Sequence, residues 1–228
     1  VVGRDVQWHG GKLTLPFRGN RIDAILDPAS ESPSPPLAAR VLIDGQPPSE
    51  HPSAHTITRP SRGQAGVWPA IKRITSQAPL VPESWTITLS DISESADRFT
   101  FRIQGSVTGF DGEGQVIPRS SWPLNDKEQP TEPPPFVSRS GRIAIGWSDW
   151  NLARERDFSG KPVPEGFTIT FDVQAHALDT LELPAAADAS HVTLAQLLPN
   201  TDHTLELVST TGQPLPIAAF RIYEPPLK

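Results

Sequence analysis

Residues 85–114, WTITLSDISESADRFTFRIQGSVTGFDGEG, constrain this chain more than any other stretch. Trp85, Ile87 and Leu89 alternate with Thr86, Thr88 and Ser90. After a polar break, Phe99, Phe101 and Ile103 alternate with Arg98, Thr100, Arg102 and Gln104. Successive side chains of a strand point to opposite faces, so a period of two in β-branched and aromatic residues predicts two half-buried strands. SESAD between them is a polar turn. The pair reads as an antiparallel hairpin with one wet face, running into TGFDGEG, a glycine-rich loop or turn.

The rest of the chain repeats the pattern in shorter pieces. Of 228 residues, 26 are proline, against a usual share of about 5 %. Proline lacks an N–H and breaks helix interiors, so it belongs in loops and at sheet edges. Leu13, Leu15 and Phe17 alternate with polar neighbours, and Pro16 among them marks an edge. Gly19-Asn20 reads as a turn before a second run at residues 22–26. Asp44-Gly45 is a hairpin signal. Phe167, Ile169, Phe171 and Val173 share one face of a strand. Residues 191–198 and 203–208 flank Pro199-Asn200-Thr201-Asp202 and read as a hairpin. No stretch has a convincing helical period. The expectation is an all-β chain, a β-sandwich of jelly-roll-like type with long proline-rich loops. It is read as a single domain over residues 1–228, with an exposed proline-rich insertion near 122–135.

Composition excludes several functions. There is no cysteine, hence no disulfide, thiolate metal site or cysteine nucleophile. The net charge is −6 and no basic stripe appears, which argues against nucleic acid as a partner. No apolar run approaches the roughly 20 residues of a membrane span. Methionine is absent even at position 1. A processed, excised or only partly represented chain is expected, with a cleaved secretory signal as the economical cause and a secreted or cell-surface location. A cysteine-free chain fits a bacterial extracytoplasmic protein.

Two pieces carry a family resemblance. One is GNRIDAILDP followed by ARVLIDG, at residues 19–28 and 39–45. The other is TLAQLLPNTDHTLELVS followed by IAAFRIYEPP, at residues 193–209 and 217–226. Together they resemble the jelly-roll β-sandwich accessory domains of bacterial carbohydrate-active enzymes, such as those preceding SGNH-type esterase domains. The resemblance covers about a third of the chain. It implies a non-catalytic module that binds carbohydrate or supports such an enzyme, and it carries no catalytic residue with it.

Candidate sites follow from side-chain chemistry. Trp68, Trp122 and Trp150 lie beside prolines or at strand ends, where an indole offers a flat apolar face and one N–H to a sugar or a protein. The alternative is that these rings cap the ends of the sandwich. Asp149, between two tryptophans in WSDW, is a further ligand-binding candidate. Asp111 and Glu113, two apart between glycines, offer the hard oxygens that calcium prefers, against the plainer reading of a turn. His51 and His55 have metal-ligand spacing only on a helix. SRSGR at residues 138–142 lacks the first glycine of a nucleophile elbow and reads as a turn. Three functions remain in view. The first is the carbohydrate-binding or enzyme-supporting module. The second is an assembly subunit of a cell-surface layer or filament, pairing with neighbouring subunits by strand addition through residues 1–6 or 123–135. The third is a glycoside or ester hydrolase with an acid pair near Asp149.

Overall fold

A computed structural model describes residues 7–27, 36–61, 69–153, 160–183 and 190–226. The chain is all-β, built of antiparallel sheets in keeping with a β-sandwich, and no described helix reaches seven residues. Its strands in chain order are β1 (Trp8–His9), β2 (Lys12–Leu26), β3 (Leu37–Ile43), β4 (His55–Ile57), β5 (Glu83–Ser90), β6 (Phe99–Gly105) and β7 (Gly109–Val116). Then come β8 (Phe136–Val137), β9 (Ala144–Ile145), β10 (Thr168–Ala175), β11 (Thr180–Leu183), β12 (His191–Ser209) and β13 (Ile217–Tyr223). No described helix is long and apolar enough to cross a membrane.

Contacts gather the chain into two compact units. Unit 1 comprises Val1–Thr56 and Ala175–Lys228, and unit 2 comprises Ile57–Gln174. Unit 1 is organised by β2 and β12, which pair antiparallel from Lys12↔Val208 to Ile25↔His191. β3 flanks β12 and β11 flanks β3, while β1 and β13 pair the other edge of β2. Leu13, Ile22, Val41, Ile43, Leu205, Leu207 and Phe220 form the buried core of this unit.

Two expected interruptions in unit 1 are absent. Gly19-Asn20 lies inside the continuous strand β2, and residues 199–202 lie inside the 19-residue strand β12 rather than at a hairpin tip. The reason is that both irregularities fall at one level. The register shifts between Gln196 and Thr201, opposite Arg21 and Gly19, so two turn-like sequences become facing bulges that bend a long ladder. Gly19 has φ +150°, and a Cβ there would collide with the carbonyl of Tyr223 in β13. Pro16 pairs with Thr204 on one side. On its other side β2 meets β1 only up to Leu13 and β13 only from Arg21, so the missing N–H falls where no described strand needs it.

Unit 2 contains the hairpin read at residues 85–104. β5 and β6 pair with Leu89↔Phe101, Ile87↔Ile103 and Trp85↔Gly105. Trp85, Ile87, Leu89, Phe99, Phe101 and Ile103 are all at most 2 % exposed. β10 flanks β5, with Ile169↔Ile87 and Phe171↔Trp85, and the Trp85 and Phe171 rings stack at 6.4 Å. Residues 109–114 of TGFDGEG lie in a strand, β7, rather than in a loop. The turn comes earlier, at residues 106–108, where the Glu83 carboxylate accepts the N–H groups of Val107 and Thr108 and the Thr108 hydroxyl. The glycines of β7 make room for rings. A Cβ on Gly114 would lie 2.6 Å from Phe101 and 3.1 Å from Phe136, whose rings meet edge to face at 4.9 Å.

Candidate functional site

The site is assembled from loops of unit 2. Residues 70–75 run alongside residues 144–151. Thr75 and Ala144 exchange backbone bonds of 2.9 and 2.7 Å, Lys72 N–H donates to Asp149 O at 2.7 Å, and Asn151 N–H donates to Ala70 O at 2.8 Å. The proline-rich segment comes back over this ladder. The Trp147 indole N–H donates to Pro134 O at 2.8 Å, and the Glu132 carboxylate accepts the N–H and hydroxyl of Ser148 at 2.9 and 3.0 Å. Pro133, Pro134 and Pro135 line a cleft of about 480 Å³ together with Arg73, Thr75, Glu132, Gly146 and Asp149.

Two carboxylates converge over Gly146. A Cβ built there would lie 2.7 Å from Asp149 Oδ2 and 3.2 Å from Glu132 Oε1, so any side chain would fill the space between them. Arg73 Nε donates to Asp149 Oδ2 at 3.4 Å, and its guanidinium side chain is 71 % exposed while that of Asp149 is 13 % exposed. The Ser148 N–H, followed by the Ser148 hydroxyl and the nearby Arg73 charge, holds the Glu132 carboxyl below its ordinary range against the opposing effect of burial. The cleft thus presents a fixed carboxylate, a second carboxylate bonded to an exposed guanidinium, and three consecutive prolines in its lining.

The sequence candidates separate. Asp149 lines the cleft, whereas the neighbouring Trp150 packs inward, its ring 5.1 Å from Phe99 and 4.8 Å from Phe101. Trp122 is half-buried, its indole N–H has no partner among the described residues, and the Arg119 guanidinium lies 5.7 Å from its ring. Trp68 lies outside the described residues. Asp111 is 2 % exposed, and both its oxygens are taken by Ser140, from the N–H at 2.8 Å and the hydroxyl at 2.6 Å. Glu113 is exposed, opposite Arg102 on β6. A register shift between Ile103 and Gln104 leaves Asp111 as the bulged residue, so the two acids do not share a face. His51 bonds Ile43 O at 3.0 Å, while His55 is buried with both ring nitrogens unpartnered. His203 bonds Asp44 and Pro199 O, at 2.7 and 2.8 Å. Among the described residues no three His, Asp or Glu side chains gather as metal ligands.

Glu132, Arg73 and Thr75 were not singled out in the sequence. Glu132 sits 17 positions before Asp149 in a run without periodicity, and only the fold of the proline segment brings the two together. The one available signal was the density of prolines around it, which stiffens a loop enough to act as a wall. Compared with protein-family models, with curated proteins and with solved structures, the chain finds no match in any of the three.

Proposed function

We propose that the protein is a non-catalytic extracytoplasmic module whose unit 2 cleft binds a hydroxyl-rich carbohydrate segment, beside or attached to a carbohydrate-active enzyme. One observation carries this reading: Asp149 and Glu132 converge over Gly146 in a cleft that an exposed guanidinium and three prolines also line. A sugar offers neighbouring hydroxyls that donate and accept at once, together with an apolar C–H face. Paired carboxylates accept from two such hydroxyls, Arg73 donates to a third, and the prolines cover the ring face. The cleft volume falls within the roughly 300–1,000 Å³ usual for small-ligand sites.

The same acid pair is close enough for glycoside hydrolysis, but that reaction also needs one carboxyl kept protonated. Glu132 is shifted the other way by Ser148. The chemistry therefore favours binding over turnover. The test is affinity electrophoresis of the whole chain through gels containing xylan, mixed-linkage β-glucan or galactomannan. At least one should retard the wild type, and Asp149→Ala should restore free migration. Unretarded migration in all three gels would sink the proposal. Release of reducing sugar that disappears in Asp149→Asn would replace it with the hydrolase reading.

A further inference from the structure

We propose that Arg102, Arg139 and Phe110 form a second ligand site on unit 2, which takes the anionic groups of an acidic polysaccharide. Phe110 projects from β7 with 37 % of its surface exposed. Two guanidiniums pack on its ring: that of Arg102 from β6, 4.7 Å from the ring centre, and that of Arg139 from the loop after β8, 4.5 Å from it. Both arginines are exposed.

Stacking uses the flat face of a guanidinium and leaves its N–H donors free along the edge. Among the described residues, neither side chain has an ion pair or hydrogen bond that consumes those donors. The ring therefore fixes two forks in place before any ligand arrives. Two cations held on one ring also repel each other, and an oxyanion between or across them removes that cost. Glu113 is the acid nearest in the ladder, opposite Arg102, yet it makes no ion pair with it. Asp111, between Phe110 and Gly112, is unavailable because Ser140 occupies its carboxylate.

The surroundings indicate a sugar chain rather than a small anion. Phe110 pairs in register with Gln104, Gln104 with Thr86, and Thr86 with Thr170. The adjoining rung runs Glu113, Arg102, Thr88, Thr168. These alternate positions form the wet face of the sheet, with Thr88, Gln104, Thr168 and Thr170 exposed. A row of hydroxyls and an amide leading away from two paired guanidiniums matches a polymer that alternates anionic groups with hydroxyls. The net charge of −6 gives a polyanion no general attraction to this chain, so local contacts must carry the binding. A uronate carboxylate and a sulfate ester share this chemistry, because both present oxygens that accept from a guanidinium fork.

The test is isothermal titration of the whole chain at low ionic strength with polygalacturonate, dextran sulfate and unmodified dextran. One or both polyanions should bind and dextran should not, and the arm that binds identifies the anion. Arg102→Gln with Arg139→Gln should weaken binding about tenfold or more, and Glu113→Gln should tighten it. Arg102→Lys with Arg139→Lys keeps the charge but loses the fork and the stack, and should also weaken binding. Near-ultraviolet circular dichroism establishes that each variant is folded. The Arg40→Gln change, at an exposed arginine of unit 1, should leave polyanion affinity untouched, so a loss confined to the Arg102 and Arg139 variants is local to this site. Lysine variants that bind as well as the wild type, failure of both polyanions, or equal binding of duplex DNA would each overturn the proposal.

Discussion

In unit 1 the carboxylate of Asp23 is wholly buried and receives two bonds from Arg21, at 2.8 and 3.1 Å, while Arg21 also reaches Thr193 and lies over the Tyr223 ring. In unit 2 an Arg–Asp contact also exists, but Arg73 is mostly exposed and its bond to Asp149 is long, at 3.4 Å. Burial decides what each pair does. Burial alone would raise the Asp23 pKa; the bonds from Arg21 and from the Thr193 and Tyr223 side chains outweigh it and hold the carboxyl below its ordinary range. Such a pair fixes how β2, β12 and β13 meet. The unit 2 pair has solvent on one side and donors to spare, which is what a binding surface requires. If this contrast is right, substitutions in unit 1 should appear as lost stability and those in the cleft as lost binding.

The largest effect is expected at Asp23. Arg21→Ala leaves a fully buried carboxylate without its partner, a change that costs about 3–5 kcal/mol. Urea unfolding followed by hydrogen exchange in β2 and β12 measures it, and a loss no larger than that of Arg73→Ala would erase the contrast. Next is Gly19→Ala. The added Cβ meets the Tyr223 carbonyl in a backbone region that side chains rarely adopt, so a loss of about 1–3 kcal/mol is expected in the same assay.

A pH dependence separates the units without changing either. His55 is 9 % exposed, and burial holds its pKa below the ordinary value against the raising effects of the His51 backbone and the Asp179 charge, with His176 adding to the depression. The unfolded chain therefore takes up this proton first. Stability contributed by a neutral His55 is intact above the ordinary value of about 6.5 and falls as pH drops below it. Glu132 is lowered in the opposite setting: its charged form is favoured, so what it contributes is lost only in the carboxylate range, about pH 4 and below. Protection of the unit 1 strands should decline between about pH 6.5 and 5 while unit 2 holds. His55→Leu should flatten that decline, and an unchanged slope would remove His55 as its source.

These contrasts also mark what a reader of the sequence alone can and cannot find. Alternation located β5, β6 and β10 because each buries one face in an apolar core, and that requirement leaves a period-two trace. β7 was missed because its glycines answer to the rings of Phe101 and Phe136, contacts that leave no periodic trace. β2 and β12 were cut short because Gly19-Asn20 and residues 199–202 carry turn chemistry, and a bulge uses the same residues as a turn. The passage between units is unmarked, since Thr56/Ile57 falls inside β4 and Gln174/Ala175 inside β10. Asp149, singled out for its aromatic neighbours, lines the cleft, although the neighbouring ring of Trp150 turns inward to the core. Glu132 was not, because its role depends on a loop closing onto Ser148.

The smallest stability effect is expected where the binding effect should be greatest. Arg73→Ala removes one long, mostly exposed contact, and such surface pairs contribute about 0–1 kcal/mol. Asp149 keeps its place without it, because its backbone is held by Lys72 N–H and by its own N–H donating to Gly146 O at 3.1 Å. Unfolding midpoints of the wild type and the variant should therefore nearly coincide. Retardation by a neutral glycan should nonetheless fall, since the cleft loses its exposed guanidinium while both carboxylates remain over Gly146. A large drop in stability would show that Arg73 is as structural as Arg21, and the distinction between a pair that builds the fold and a pair that faces a ligand would not hold.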